Sequence, residues 1–172
     1  MAVHDDDTTS DDPTAPRNDP GNGSATPGPD GDLEPTHQVT VFQAVGGQGF
    51  FDRLVERFYD HVANDPVLLS LYPDQVDLGP ARERLATFLG QYWGGPDTYS
   101  QQRGHPRLRM RHAPFRIDPA AGDHWVAAMV DALATTMPEA PLDPELAGAV
   151  QERMIEYFTL SAGHMVNSPA EP

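Results

Sequence analysis

The feature that most constrains the fold of this 172-residue chain is a stripe of apolar side chains at spacings of three and four. Because an α-helix repeats every 3.6 residues, this spacing places them on one helix face. The stripe comprises Phe51, Leu54, Val55, Phe58 and Val62. Tyr59 lies at the edge of that stripe, about 100° around the helix from its neighbour Phe58. No segment alternates polar and apolar residues, so we predict an all-α fold.

Proline and glycine mark the ends of the neighbouring helices. A short helix over residues 41–45 is predicted to end at Gly46-Gly47, and the helix of the apolar stripe at Asn64-Asp65-Pro66. Residues 67–73 suggest a short apolar turn or helix. The next helix begins near Gly79-Pro80, because proline is favoured in a first turn. Its predicted apolar face consists of Ala81, Leu85, Phe88, Leu89 and Tyr92.

Proline and aspartate also predict helix boundaries in the second half of the chain. We expect a loop over residues 97–100 and a short helix from Pro106 to before Pro114. Asp118-Pro119 and Asp143-Pro144 each resemble an N-cap followed by a proline at the first helical position. The first of these helices carries Trp125, Met129, Ala132 and Leu133 on one face. The last helix is expected to bury Leu146, Val150, Met154, Phe158, Ala162 and Met165.

Composition separates an N-terminal tail from the rest of the chain. Residues 1–40 contain eight Asp, one Glu and a single Arg, with few apolar side chains, so we predict that they are disordered. The chain has no cysteine, which excludes disulfides, thiolate metal sites and covalent haem attachment. No apolar run is long enough to span a membrane, and the start lacks the pattern of a signal peptide. A cytoplasmic protein is therefore expected, and the net charge of −15 argues against nucleic acid and anionic membranes as partners.

Residues 103–116 are a basic island within this acidic chain. They hold five of the eleven basic residues and two of the seven histidines. His112 lies near the end of the short helix predicted here, with Leu108 one turn earlier on the same face. The arginines suit carboxylates, which the guanidinium group binds in a bidentate fashion. One interpretation is a haem with its iron on His112 and its propionates among the arginines.

Three other interpretations fit the same residues. His105 and His112 could bind zinc, although no third ligand lies nearby at a motif spacing. The arginines could contact RNA phosphates, but the RNA-binding signatures are absent. They could also form a solvated basic patch, which these residues alone favour.

Longer motifs resemble the truncated haemoglobins, specifically group II, the "O" type of actinobacteria. The run Tyr92-Trp93-Gly94-Gly95-Pro96, followed by residues 104–115, carries most of the resemblance. Residues 42–47 and the pair Phe58-Tyr59 add to it, and the similarity extends over residues 41–169. The resemblance implies a shortened globin fold, a two-over-two helical sandwich, preceded by the acidic tail.

The resemblance also assigns functional positions. His112 falls on the proximal ligand of a non-covalent haem b. The ligand pocket is implied to contain Tyr59, Tyr72, Trp125, Ala81 and Leu85. The haem is implied to contact Phe88, Tyr92, Leu108, Met110, Arg84, Arg103 and Arg111.

These positions imply a globin that binds O₂, and also NO and CO, with slow release. Hydrogen bonds from Tyr59 and Trp125 would retain the O₂, for oxygen binding, storage, transport or redox chemistry. One alternative is an NO dioxygenase or a peroxidase-like enzyme, which needs a separate reductase because this chain has no flavin or nicotinamide motif. Another is a gas or redox sensor that uses the acidic tail to bind a partner. Self-association into a homo-oligomer is also compatible with the resemblance.

Overall fold

The computed structural model describes residues 38–170, which contain α-helices and no β-strand. The predicted all-α class is confirmed. Most of the predicted tail, residues 1–37, lies outside the described residues, and its disorder stays a prediction. None of the described helices is both long enough and apolar enough to cross a membrane.

Within residues 38–170, eight α-helices follow one another with short connections, and one 3-10 turn, Met137–Glu139, precedes the last of them. Most of the helix ends lie where the proline and glycine signals place them. In chain order the helices are α1 Val41–Ala44, α2 Gln48–Asn64, α3 Pro66–Leu69, α4 Gly79–Tyr92, α5 Thr98–Arg103, α6 Leu108–His112, α7 Pro119–Thr136 and α8 Pro144–Met165.

Aspartate caps start the two longest helices. The Asp118 carboxylate accepts a hydrogen bond from the Ala121 backbone N–H at 2.8 Å, and α7 begins at the next residue, Pro119. Asp143 caps α8 in the same way, through the Leu146 N–H at 2.9 Å. Each cap satisfies a backbone donor that has no partner within the helix, so both predicted helix starts are confirmed.

The core is built around α2. Its buried residues include the whole predicted stripe, and they are Phe50, Phe51, Leu54, Val55, Phe58, Tyr59 and Val62. Helix α2 packs on α4 and on α7, and α7 packs in turn on α8. Two helix pairs therefore lie against each other, which confirms the predicted two-over-two arrangement.

Residues 98–103 form α5, so the prediction of a loop over residues 97–100 is wrong for most of its length. Tertiary contacts stabilise this helix. Tyr99 is buried against Phe88, with ring centroids 5.5 Å apart. The side chain of Gln91 accepts from the Ser100 N–H at 2.9 Å and donates to the Ser100 hydroxyl at 2.7 Å. Phe88 and Gln91 both belong to α4, so the residues of α5 alone do not predict this helix.

Two residues predicted on buried faces are exposed. Leu146 is 44% exposed because it lies in the first turn of α8, four residues before Val150, the first buried residue of that helix. Tyr92 is 52% exposed because it is the last residue of α4. One face of its ring stacks on Tyr157 of α8, with ring centroids 4.0 Å apart. In both cases the helical period is right, but the helix end extends past the core.

The chain crosses itself closely where α1 meets the end of α4. The Phe42 N–H donates to the Trp93 carbonyl at 2.9 Å. A Cβ atom on Gly95 would lie 2.6 Å from the Phe42 ring and 2.7 Å from the Gly90 carbonyl oxygen. A side chain at position 95 would therefore push the two segments apart.

We predict that Gly95→Ala lowers the free energy of unfolding by about 1–3 kcal/mol, the usual cost of overpacking. Gly148→Ala is the matched control, because a Cβ there meets nothing within 4 Å on α8. Alanine in a helix interior should instead raise stability by about 0.5–1 kcal/mol. Urea unfolding followed by circular dichroism measures both, and equal stability of the two variants would contradict the close crossing.

Candidate functional site

Two tyrosines form a buried hydroxyl pair. Tyr59 of α2 is only 3% exposed, and its ring lies 5.6 Å from the ring of Tyr72, which follows α3. Burial raises the pKa of both hydroxyls. The hydrogen bond between them raises the pKa of Tyr59 and lowers that of Tyr72. A phenol hydroxyl both donates and accepts, so the pair can also bind a further polar group.

Two arginines of α4 bring positive charge to this pair. The Arg82 guanidinium lies 5.8 Å from the centroid of the Tyr59 ring, and it also pairs with Asp60 at 3.8 Å. The positive charge of Arg84 lowers the pKa of Tyr59 and Tyr72, against the larger effect of burial. The edge of the tyrosine pair therefore carries a positive potential.

Trp125 of α7 joins the same cluster through Phe58. The Trp125 ring meets the Phe58 ring edge-on at 5.5 Å, and Phe58 meets Tyr59 at 5.1 Å. Phe158 of α8 holds the other side of the indole at 5.9 Å. The structure thus gathers Tyr59, Tyr72 and Trp125, which the sequence assigned to one pocket. Ala81 and Leu85 of α4 are half-buried and pack against the same core.

A hydrogen bond between two side chains fixes the corner between α2 and α3 to α7. Asp65 caps α3 by accepting from the Val67 N–H at 2.9 Å, and its other oxygen lies 2.6 Å from Nδ1 of His124. The hydrogen bond with His124 is the main cause that lowers the pKa of Asp65. His124 is the residue before Trp125, so this contact ties the corner that leads to Tyr72 to the backbone that carries the tryptophan. The partners lie 59 residues apart, and sequence reasoning missed them.

His112 is held by its own helix. Its Nδ1 lies 2.8 Å from the carbonyl oxygen of Leu108, one turn earlier, so Nδ1 acts as the donor and Nε2 keeps the free lone pair. A ligating histidine is usually oriented in this way, by a hydrogen bond from its other ring nitrogen. The half-buried Leu108 packs against the core and supplies an apolar wall beside the imidazole.

The C-terminal segment locks the loop that follows His112. The Asn167 side chain donates to the carbonyls of Phe115 at 2.8 Å and His112 at 3.3 Å. Its oxygen accepts from the Ile117 N–H at 3.0 Å. These bonds hold the end of α6 in place, and no local pattern in the sequence predicts them.

The remaining predicted haem contacts occupy different settings. Phe88 is buried in the second half of α4, whereas Arg84 and Arg103 are exposed. The Arg111 guanidinium donates to the backbone carbonyls of Pro106 at 2.8 Å and Arg103 at 2.6 Å, and so fixes the turn before α6.

Met110 and Tyr92 are the predicted contacts that the structure favours least. Met110 is 58% exposed and lies two residues before His112, about 200° around α6. Tyr92 stacks on Tyr157, as described above. Their contact with haem stays a prediction.

The described residues thus present two separate groups. Within residues 38–170, no hydrogen bond or ring contact joins His112 to the cluster of Tyr59, Tyr72 and Trp125. In the same range no three His, Cys, Asp or Glu side chains come together as a metal site. One oriented imidazole is the protein ligand set that a haem iron uses.

Comparison with known proteins gives one consistent result. Residues 40–159 match the family model described as bacterial-like globin. Group 2 truncated hemoglobin YjbI of Bacillus subtilis is 36% identical over 73% of this chain and 87% of its own length. The crystal structure of a thermostable hemoglobin from the actinobacterium Thermobifida fusca has a TM-score of 0.68 and 48% identity, covering 76% of this chain and 99% of that one. The crystal structure of a group II truncated hemoglobin from Bacillus anthracis has a TM-score of 0.67 and 37% identity. It covers 77% of this chain and 94% of that one.

The burial of Tyr59 predicts a specific pH dependence of stability. Its pKa in the folded protein lies above the ordinary value near 10, so the folded state keeps a proton that the unfolded chain releases. Stability from this group is complete below about pH 10 and is lost as the pH rises further. Tyr59→Phe should flatten the fall in unfolding free energy between about pH 9.5 and 11.5. Urea unfolding at several pH values measures the unfolding free energy. Tyr92→Phe is the control, because it removes the hydroxyl of a half-exposed tyrosine. The same dependence of unfolding free energy on pH in both variants would rule out the contribution of Tyr59.

Proposed function

Since this chain belongs to the bacterial-like globin family and has that family's haem-binding, oxygen-binding role, we propose that it holds haem b on His112 and retains O₂ by hydrogen bonds from Tyr59, Tyr72 and Trp125. The observation that carries the proposal is the convergence of these three polar side chains in one aromatic cluster. Each comes from a different segment of the chain.

The chemistry of His112 fits the haem. The hydrogen bond from Nδ1 to Leu108 fixes the ring and directs the remaining nitrogen to a metal. It also makes the imidazole more basic, which would strengthen its bond to a metal. Asn167 holds the backbone on the C-terminal side of His112, so the ring is supported from both ends of its short helix.

Arg84 and Arg103 are the best candidates for the propionates. Both are exposed, so their guanidinium groups are available at the rim of the fold. Arg84 lies one residue before Leu85, which joins it to the wall of the predicted pocket. Arg111 stabilises the turn before α6 through its backbone contacts, and it supports the site indirectly.

Haem supplies the iron site at which a diatomic gas is taken up, and the chain supplies the surroundings. Apolar side chains of α2 and α4 exclude water, which strengthens every hydrogen bond inside. The Tyr59 and Tyr72 hydroxyls share a hydrogen bond, which holds both polar groups together in the aromatic cluster. Trp125 can only donate, so its indole N–H favours a ligand that carries partial negative charge.

The number of donors predicts slow release of O₂. A hydrogen bond to a polarised group contributes about 1.5–3 kcal/mol, and each ~1.4 kcal/mol changes a rate or equilibrium tenfold. Two such bonds slow release by roughly two to four decades. NO and CO enter the same pocket, but CO carries less charge and gains less from the donors.

A visible absorption spectrum tests haem ligation. We expect His112→Gly to lose the sharp haem band of the wild-type protein after supplementation with haem, and added imidazole to restore it. His105→Gly is the matched control, because His105 lies in the same basic segment and its exposed ring accepts from the Arg107 N–H at 3.3 Å. An unchanged spectrum in His112→Gly would assign the iron to another residue.

Stopped-flow measurement of O₂ release tests the distal donors. Trp125→Phe keeps an aromatic ring against Phe58 but removes the N–H, so release should be about 10- to 100-fold faster. Trp93→Phe is the control, because Trp93 is buried against Tyr157 and not in this cluster. A rate equal to that of the wild type would remove Trp125 from the mechanism.

A further inference from the structure

The basic island retains exposed cations that the proposed haem site does not use. Residues 98–117 contain five arginines and none of the 26 acidic residues of the chain, although the net charge is −15. Arg107 and Arg109 are both exposed on and beside α6. Neither forms an ion pair within residues 38–170, where the pairs involve Arg53, Arg57, Arg82 and His124. Arg107 and Arg109 therefore present positive charge that no acidic side chain of residues 38–170 pairs with, in a chain whose net charge is −15.

The backbone beneath these cations is held in a costly conformation. Arg107 has φ 42° and ψ 49°, the left-handed region, which side chains other than glycine rarely adopt. Such a conformation is strained for a residue with a side chain and persists only where surrounding contacts fix it. The fixing contacts are those of Arg111, whose guanidinium binds the carbonyls of Pro106 and Arg103. The turn thus fixes the backbone from which Arg107 and Arg109 extend.

An apolar side chain lies between the cations. Met110 follows Arg109 directly and is 58% exposed, on the side of α6 that faces away from His112. Methionine is flexible and polarisable, and it is frequent on surfaces that bind partners. We call Arg107, Arg109 and Met110 the α6 surface. An apolar centre beside uncompensated charge is typical of a protein interface, which has an apolar core and a polar rim.

We propose that the α6 surface docks an acidic electron-donor protein. This inference rests on the proposed function, because α6 also carries His112, and a donor docked here would lie next to the residue proposed to hold the haem. The donor gives up one electron and is oxidised by one unit, and the ferric haem protein is reduced by one unit, without any bond being made or broken. The chain itself has no flavin or nicotinamide motif, so the electron comes from a separate protein.

Charge complementarity selects an acidic partner. A positive surface steers a negative protein during diffusion and raises association rates by about 10- to 1000-fold at low salt. The acidity of the rest of the molecule repels the same partner elsewhere, so the α6 surface is the favoured point of contact. Electron-transfer interfaces are small, below about 1,200 Å² in total, and a few arginines around one apolar residue match that size.

Two acidic electron-transfer proteins, a plant-type ferredoxin and a flavodoxin, serve as probes. Stopped-flow absorbance measures reduction of the full-length ferric protein by each reduced probe, and calorimetry measures binding of the oxidised probe. We expect Arg109→Glu to slow reduction and weaken binding at least about tenfold at low ionic strength, with the difference shrinking as salt is added. Arg107→Gly should lower both more weakly, and glycine suits the left-handed backbone at this position.

Arg153→Glu is the matched control. It changes the net charge equally but lies in the middle of α8, beside Tyr157 and Leu160. We expect less than a twofold effect on reduction or binding by either probe. Reduction by dithionite should be the same in all variants, because that small reductant needs no docking surface.

The outcomes separate the two proposals. A wild-type protein that takes up no haem overturns the proposed function, while calorimetry on the same protein still tests the α6 surface. Normal haem and CO spectra in every variant, together with unchanged reduction and binding in Arg109→Glu, overturn the docking proposal alone. Displacement of both probes by a short single-stranded RNA that binds more tightly to the same arginines also overturns it, in favour of a nucleic-acid surface.

Discussion

Burial of one face of α2 is the constraint on which the rest of the structure depends. Phe51, Leu54 and Phe58 are fully buried, and burying such side chains stabilises the fold by about 1.5–3 kcal/mol each. The face is broad enough to contact α4 and α7 together, so it joins the two helix pairs. Tyr59 extends the same face, and its hydroxyl is therefore buried along with the apolar stripe.

The site inherits its properties from this packing. A buried hydroxyl needs a partner, and Tyr72 provides it once the corner after α2 folds back. The pair of Asp65 and His124 holds that corner against α7, one residue from Trp125. The donors proposed to retain O₂ are thus positioned by contacts that also stabilise the fold. The proximal side is simpler, since a single hydrogen bond within α6 orients His112.

Local signals predicted much of this protein because they act within a few residues. The helical period, the aspartate caps before Pro119 and Pro144, and the glycines after α4 each depend on neighbours in sequence. Local signals failed where a partner is remote. Helix α5 depends on Tyr99 packing against Phe88, and the exposure of Tyr92 depends on where α4 ends relative to α8.

The sequence by itself determined the all-α class, the main helix boundaries and the family to which the site residues were matched, because periodicity, caps and motifs are written in adjacent residues. Only the tertiary structure decided that the Tyr59 and Tyr72 hydroxyls meet in the core and that His124 ties the α3 corner to α7. It also decided that Tyr92 stacks on Tyr157 and is half exposed. The physical reason is that these properties depend on burial and on atoms brought together from distant segments, which no local pattern encodes.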